Sequence, residues 1–171
     1  HRFVEAGRAF SDLASMEGGE FSGLRGLAAL AIEQGRPEEA EHYLNEFEAR
    51  GGGALIAAGV RVRIALMKGD LELARQNLRV VLGEDPKNLD AWVQLIELGP
   101  EYVTPREANL LQSLTDHLAG KRRARALFAL ARVRGYQENL DDEIKHLHEA
   151  NRLWSLGHER EREQELSIFR V

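Results

Sequence analysis

The sequence contains no cysteine. That absence excludes a disulfide frame, a thiolate nucleophile and any cysteine-based zinc site. It leaves the compartment open, because either redox environment tolerates a cysteine-free chain, and the cytoplasm is the favoured expectation. Long apolar runs are missing too: none approaches the ~20 residues a membrane span needs, so no membrane insertion is expected. Nor is there an excess of positive charge. A formal net charge of -5 and a pI near 5.7 argue against general nucleic-acid binding. Strand-like alternation bounded by hairpin turns occurs nowhere. What remains is a chain of 171 residues, 43% apolar and 30% charged. That balance is one of a folded protein, a single domain or a short array, since a disordered chain is poorer in apolar residues. Because it opens on His1, the chain is expected to be a piece or processed form of something longer, with any targeting segment missing.

Chemistry-bearing motifs are equally scarce. His146 and His148 form the closest histidine pair, but side chains two apart diverge on a helix and make poor joint metal ligands. His42 and His158 are isolated, and no H-E-x-x-H occurs. These histidines are read as solvent-facing or capping, and no metal site is expected. There is no G-x-S-x-G elbow and no G-x-x-x-x-G-K-[ST] loop. Gly51-Gly52-Gly53 has the composition of a phosphate cradle, but no Lys or Ser/Thr follows it, and an inter-repeat linker is the preferred reading. No catalytic residue and no cofactor are assigned, and the chain is read as a non-enzyme.

What the sequence does have is a period. Ala6, Ala40, Ala74 and Ala108 are separated by three successive steps of 34. Four residues after each stand Phe10, Leu44, Leu78 and then Gln112, with Leu111 beside it. Twelve residues after each come Gly18, Gly52, Pro86 and Gly120. A small residue, a large apolar partner one turn later and a breaker beyond describe one helix and its end. The upstream half of each period predicts a second helix. Leu24, Leu27, Ala28 and Ala31 lie at helical spacing before Gly35-Arg36-Pro37. Pro37 can open the next helix without losing a needed N–H, and Glu38 and Glu39 follow where they favour the helix dipole. Ala54 to Lys68 repeats the pattern, and Asp70 is placed to cap Leu71 to Leu82. In the third unit Trp92, Leu95 and Ile96 begin a helix that Gly99-Pro100 ends early. Thr104 then caps a helix from about Arg106 to Leu118, with Pro105 at its first position. The fourth unit slips by one: Leu127, Leu130 and Ala131, then Leu140 through Ile144, Leu147 and Ala150, with Glu143 where an alanine is expected. A separate last helix, roughly His158 to Phe169, is expected to cap the array. The fold class is all-α.

These features resemble the tetratricopeptide repeat. Ala28 and Ala40, with Gly35-Arg36-Pro37-Glu38-Glu39-Ala40, look like its junction between first and second helices. Trp92, Leu95, Ala74, Leu78, Val81 and Pro86 match other signature positions. The resemblance implies a right-handed superhelix of antiparallel helix pairs forming one solenoid domain. Its divisions are a half repeat at 1–20, repeats at about 21–53, 54–88, 89–122 and 123–156, and a capping helix at 157–171. A narrower likeness joins Ala126-Leu127-Phe128-Ala129-Leu130-Ala131, Leu140-Asp141-Asp142-Glu143-Ile144-Lys145-His146-Leu147 and Glu149-Ala150-Asn151-Arg152-Leu153. Together they look like the last repeat of bacterial tetratricopeptide proteins that carry a sulfotransferase domain, which this chain lacks.

In that family, ligand contacts come from set positions of the first helices. Carried over, those positions are Ser22, Arg25, Ala29 and Ile32, then Ile56, Gly59, Arg63 and Leu66. Asp90, Val93 and Glu97 follow, then Arg125, Phe128 and Arg132. A groove with Arg25, Arg63, Arg125 and Arg132 beside Ile56 and Phe128 would suit an acidic peptide or neighbouring domain with an apolar anchor, since arginine holds a carboxylate bidentately. Alternatively these arginines simply solubilise the inner face. The Lys and Asn of the family's carboxylate clamp are absent. Lys121-Arg122-Arg123, with Arg125, is read as a loop and helix start, and cations there would welcome an external anion. Glu159-Arg160-Glu161-Arg162-Glu163 is read as a solvated face with i,i+3 pairs. The expected role is a non-catalytic scaffold binding a protein or peptide. The alternatives are substrate positioning for an absent sulfotransferase domain and self-association of exposed repeat ends into a homo-oligomer.

Overall fold

The structure is a computed structural model that describes residues 2–168, with side chains through residue 157. It is all-helical: no strand occurs among the described residues. The chain forms two compact units, His1–Pro86 and Lys87–Val171, each taken here by itself.

The first unit runs α1 (Arg2–Ser15), α2 (Glu20–Glu33), α3 (Pro37–Ala49), α4 (Ala54–Lys68) and α5 (Leu71–Glu84). Each helix packs on the next, and α2 also meets α4. The breaks are made by glycine. Gly35 and Gly69 both have φ of +70°, a left-handed conformation that costs an L side chain about 1–2 kcal/mol. The following N–H then turns back to the carbonyl five residues earlier, Arg36 to Ala31 at 2.8 Å and Asp70 to Ala65 at 2.9 Å. This satisfies carbonyls that the helix end would leave orphaned. Pro37 opens α3 as expected, and the Asp70 carboxylate accepts from the Leu73 N–H at 3.0 Å at the start of α5.

The periodic alanines lie where helices meet. Ala40 and Ala74 are fully buried, with Leu44 and Leu78 beside them. Leu24, Ala31, Ile32, Ala40, Leu44, Phe47, Ala57 and Ile64 share one core. Burying each large aliphatic chain among them contributes about 1.5–3 kcal/mol. Arg61 ties α4 to α3 at the rim, donating to Glu48 at 2.5 and 2.9 Å, to Glu41 at 3.2 Å and to Asn45 at 3.2 Å.

The second unit runs α6 (Leu89–Leu98), a 3-10 turn (Pro100–Tyr102), α7 (Pro105–Asp116), α8 (Gly120–Tyr136) and α9 (Leu140–Ile168). Gly99-Pro100 ends α6 early, as expected, and α6 then lies against the turn and α8 rather than along α7. Thr104 caps α7 reciprocally: its hydroxyl accepts from the Glu107 N–H at 3.3 Å, and the Glu107 carboxylate accepts from the Thr104 N–H at 2.9 Å. Helix α8 is the hub, packed on α6, α7 and α9. Seven of its residues are buried, Ala124, Ala126, Leu127, Ala129, Leu130, Ala131 and Val133, because a helix with neighbours on several sides must be apolar on several sides.

Two local expectations need correction. Helix α9 continues unbroken from Leu140 to Ile168, whereas two helices were expected with a break near residue 157. A lone Gly157 costs a helix only about 1 kcal/mol and brings no proline or left-handed turn with it. The charge run at 159–163 lies beyond the described side chains, and Phe169 lies beyond the described residues. The second correction concerns His146, read as solvent-facing or capping and found only 6% exposed. No helix among the described residues is long and apolar enough to cross a membrane.

Candidate functional site

An apolar concavity lies in the second unit, between α6, α8 and α9. It encloses about 420 Å³, lined by Val93, Ile96 and Glu97 from α6, Arg125, Phe128, Ala129 and Arg132 from α8, and Trp154 from α9. Helical spacing builds this lining. Arg125, Phe128, Ala129 and Arg132 stand at i, i+3, i+4 and i+7, so one face of α8 carries an apolar centre with a guanidinium at each end. On α6, Val93, Ile96 and Glu97 do the same with a carboxylate at the far end. Val93, Ile96 and Ala129 are buried and form the floor, while Glu97, Arg125 and Arg132 are exposed at the rim.

Two aromatics form the wall. The rings of Phe128 and Trp154 meet edge to face, with centroids 6.3 Å apart and planes at 73°, the arrangement their quadrupoles favour. The Lys121 ammonium lies 5.6 Å from the centre of the Trp154 ring, within cation–π range. Trp154 remains 41% exposed.

Rim charges differ in how far they are engaged. Arg125 donates through Nη1 to Asp90 Oδ1, an ion pair between the first turn of α6 and the second turn of α8. Arg132, one turn beyond Phe128, has no ion-pair partner among the described residues. Of the remaining basic run, Arg123 pairs with Glu149 at 3.0 Å and also reaches the Asp116 carbonyl at 3.4 Å. The run does begin a helix, since α8 opens at Gly120. Two of its four cations, Arg123 and Arg125, are thus answered by carboxylates of neighbouring helices.

The other expected contact residues are distributed differently. Arg25 and Ile56, with Ser22, line a separate cleft of about 270 Å³ in the first unit, beside Phe21, Phe47 and Gly51-Gly52-Gly53. Arg63 is exposed but ion-paired to Glu33 at 2.8 Å. Ile32 belongs to the first unit's core at 9% exposure. Ala29 is half-buried, and Leu66 is exposed and lines neither concavity. Sequence reasoning missed Trp154. It stands one turn after the buried Ala150, a spacing that could have flagged it, but it lies on a second helix, outside the first-helix positions considered.

Among the described residues no group of three or more His, Cys, Asp or Glu side chains could hold a metal ion. The chain matches no known protein-family model and no curated protein.

Proposed function

We propose that this chain is a non-catalytic interaction module of tetratricopeptide-like helix pairs that binds an extended peptide or a partner's loop. The groove between α6, α8 and α9 is the binding surface. The observation that carries this reading is the groove's composition: an apolar floor, a partly exposed Phe128–Trp154 wall and an exposed Arg132 one turn away with no ion-pair partner among the described residues. Aromatic and arginine side chains dominate binding hot spots, because they bring large area or fixed hydrogen-bond geometry at small entropic cost. The matching ligand places an apolar or aromatic side chain against Phe128 and Trp154 and a carboxylate on Arg132. The 34-residue recurrence of buried alanines and the α2–α3 and α4–α5 pairs support the repeat assignment.

Arg63 and Arg132 are distinguishable in this reading. Peptides selected from a random library on the wild-type chain should lose at least about tenfold in affinity for Arg132→Glu, the loss of one charged hydrogen-bond pair. Arg63→Glu should leave affinity within about twofold, because Arg63 lies outside the groove and already faces Glu33. Circular dichroism on both variants separates binding from folding. Equal affinity for wild type and Arg132→Glu would remove the groove assignment.

A further inference from the structure

One column of the repeat changes character along the chain. The position four residues after each periodic small residue holds Phe10, Leu44 and Leu78, then Gln112, and one further step of 34 reaches His146. Where Leu44 and Leu78 are buried apolar chains, the last two members are polar and bond to each other: His146 Nε2 lies 2.7 Å from Gln112 Oε1. The Gln112 amide is oriented by its other end, where Nε2 donates to Asp116 Oδ1 at 3.0 Å. Oε1 must therefore accept, so His146 Nε2 carries a hydrogen, and in the neutral ring Nδ1 is the bare nitrogen. Nδ1 is buried, with no hydrogen-bond partner among the described residues. The pair joins α7 to α9, two helices that both pack on α8.

We propose that Gln112 and His146 form a pH-sensitive latch between α7 and α9, closed while the imidazole is neutral and loosened when Nδ1 takes a proton. The surrounding charges oppose that proton. Arg123 and Arg134 from α8 and Lys145 from α9 line the same polar cavity of about 370 Å³. Its three carboxylates are already engaged: Glu149 with Arg123, Asp116 with Gln112, and Asp142 with Asn139 at 3.0 Å. A second ring proton would thus place a charge at a buried nitrogen that has no hydrogen-bond partner among the described residues, beside three cations. Burial, opposed in part by Asp142 and reinforced by Arg134, holds the His146 imidazole below its ordinary value of 6.5. The sign follows. A group with a depressed folded-state value binds more protons when unfolded, so its contribution is intact above about pH 6.5 and is lost as pH falls through the folded value.

Hydrogen exchange on the full chain tests the latch at about pH 7.5 and about pH 5.5, with intrinsic rates corrected. In the wild type, amides around residue 146 should exchange faster at the lower pH, by a factor of up to about tenfold. His146→Gln, which keeps a donor for Gln112 and cannot titrate, should abolish most of that acceleration. Equal acceleration in wild type and His146→Gln would overturn the proposal. Nitrogen-15 titration of the wild-type imidazole decides independently of whether the variant folds. A midpoint below 6.5 supports the latch, and a midpoint at or above it sinks it.

Discussion

At the residue scale, glycine shows how local and tertiary terms compete. Alanine is the better helix former by about 0.8–1 kcal/mol, so either Gly23 in α2 or Gly83 in α5 looks improvable from sequence. A methyl added at Gly83 meets nothing within 4 Å, whereas one added at Gly23 would stand 2.3 Å from the backbone nitrogen of Ala14. Backbone cannot swing aside as a side-chain tip can. Gly83→Ala is therefore expected to stabilise the chain by about 0.5–1 kcal/mol. Gly23→Ala should destabilise it by about 1–3 kcal/mol, the overpacking cost outweighing the helix gain. Urea titrations of the two variants check both signs. Glu138 illustrates the reverse case: with φ of +59° it ends α8 in the conformation that glycine supplies at Gly35 and Gly69.

At the element scale, neighbouring helices are joined by apolar contacts in the middle and by charged hydrogen bonds at the edge. Between α3 and α4 that edge is Arg61, three-quarters buried, with its guanidinium shared by Glu41, Asn45 and Glu48. Hydrogen bonds from Arg61 hold the Glu48 carboxyl below its ordinary 4.5. A carboxyl depressed in the folded state stabilises above its unfolded value, and that contribution disappears as pH falls through the folded one. Arg61→Ala should cost about 1 kcal/mol near neutrality and a smaller amount below about pH 4. Thermal or urea unfolding at the two pH values measures the difference, and a cost that does not shrink on acidification would contradict the assignment.

At the scale of the whole molecule, the chain resolves into two compact units, and the first buries a core of its own from α2, α3 and α4. A fragment comprising residues 1–86 is accordingly expected to retain its helicity and to unfold cooperatively. Within it, Leu44→Ala should cost about 2–5 kcal/mol, the range for truncating a fully buried leucine. A fragment without a cooperative transition would show that the first unit needs the rest of the chain.

Helices were the most legible feature, because their signals are local. Pro37, Asp70, Thr104 and Pro105 mark helix starts by dihedral preference or capping chemistry that acts within four residues. Gly35, Gly69 and Gly99 mark ends in the same way. The small-residue column was legible because close helix packing repeats every 34 residues. The interaction surface was legible only in part. Val93, Arg125, Phe128 and Arg132 converge in one groove, while Ile32 turns into the core and Arg63 into an ion pair. Periodicity specifies which face of a helix a residue occupies, but not which neighbour lies opposite.

By itself, then, the sequence determined the all-helical class, the starts of α3 and α5, the breaks at Gly35, Gly69 and Gly99-Pro100 and the recurring small-residue column, all of which depend on chain-local geometry. Tertiary structure alone decided three things. It ran α9 straight through Gly157, because about 1 kcal/mol of propensity is too small to end a helix held along α8. It brought Trp154 to the wall beside Phe128. And it turned Gln112 and His146, two apparent lapses in an apolar column, into partners, because only packing α7 and α9 on the same hub sets their side chains within hydrogen-bonding distance.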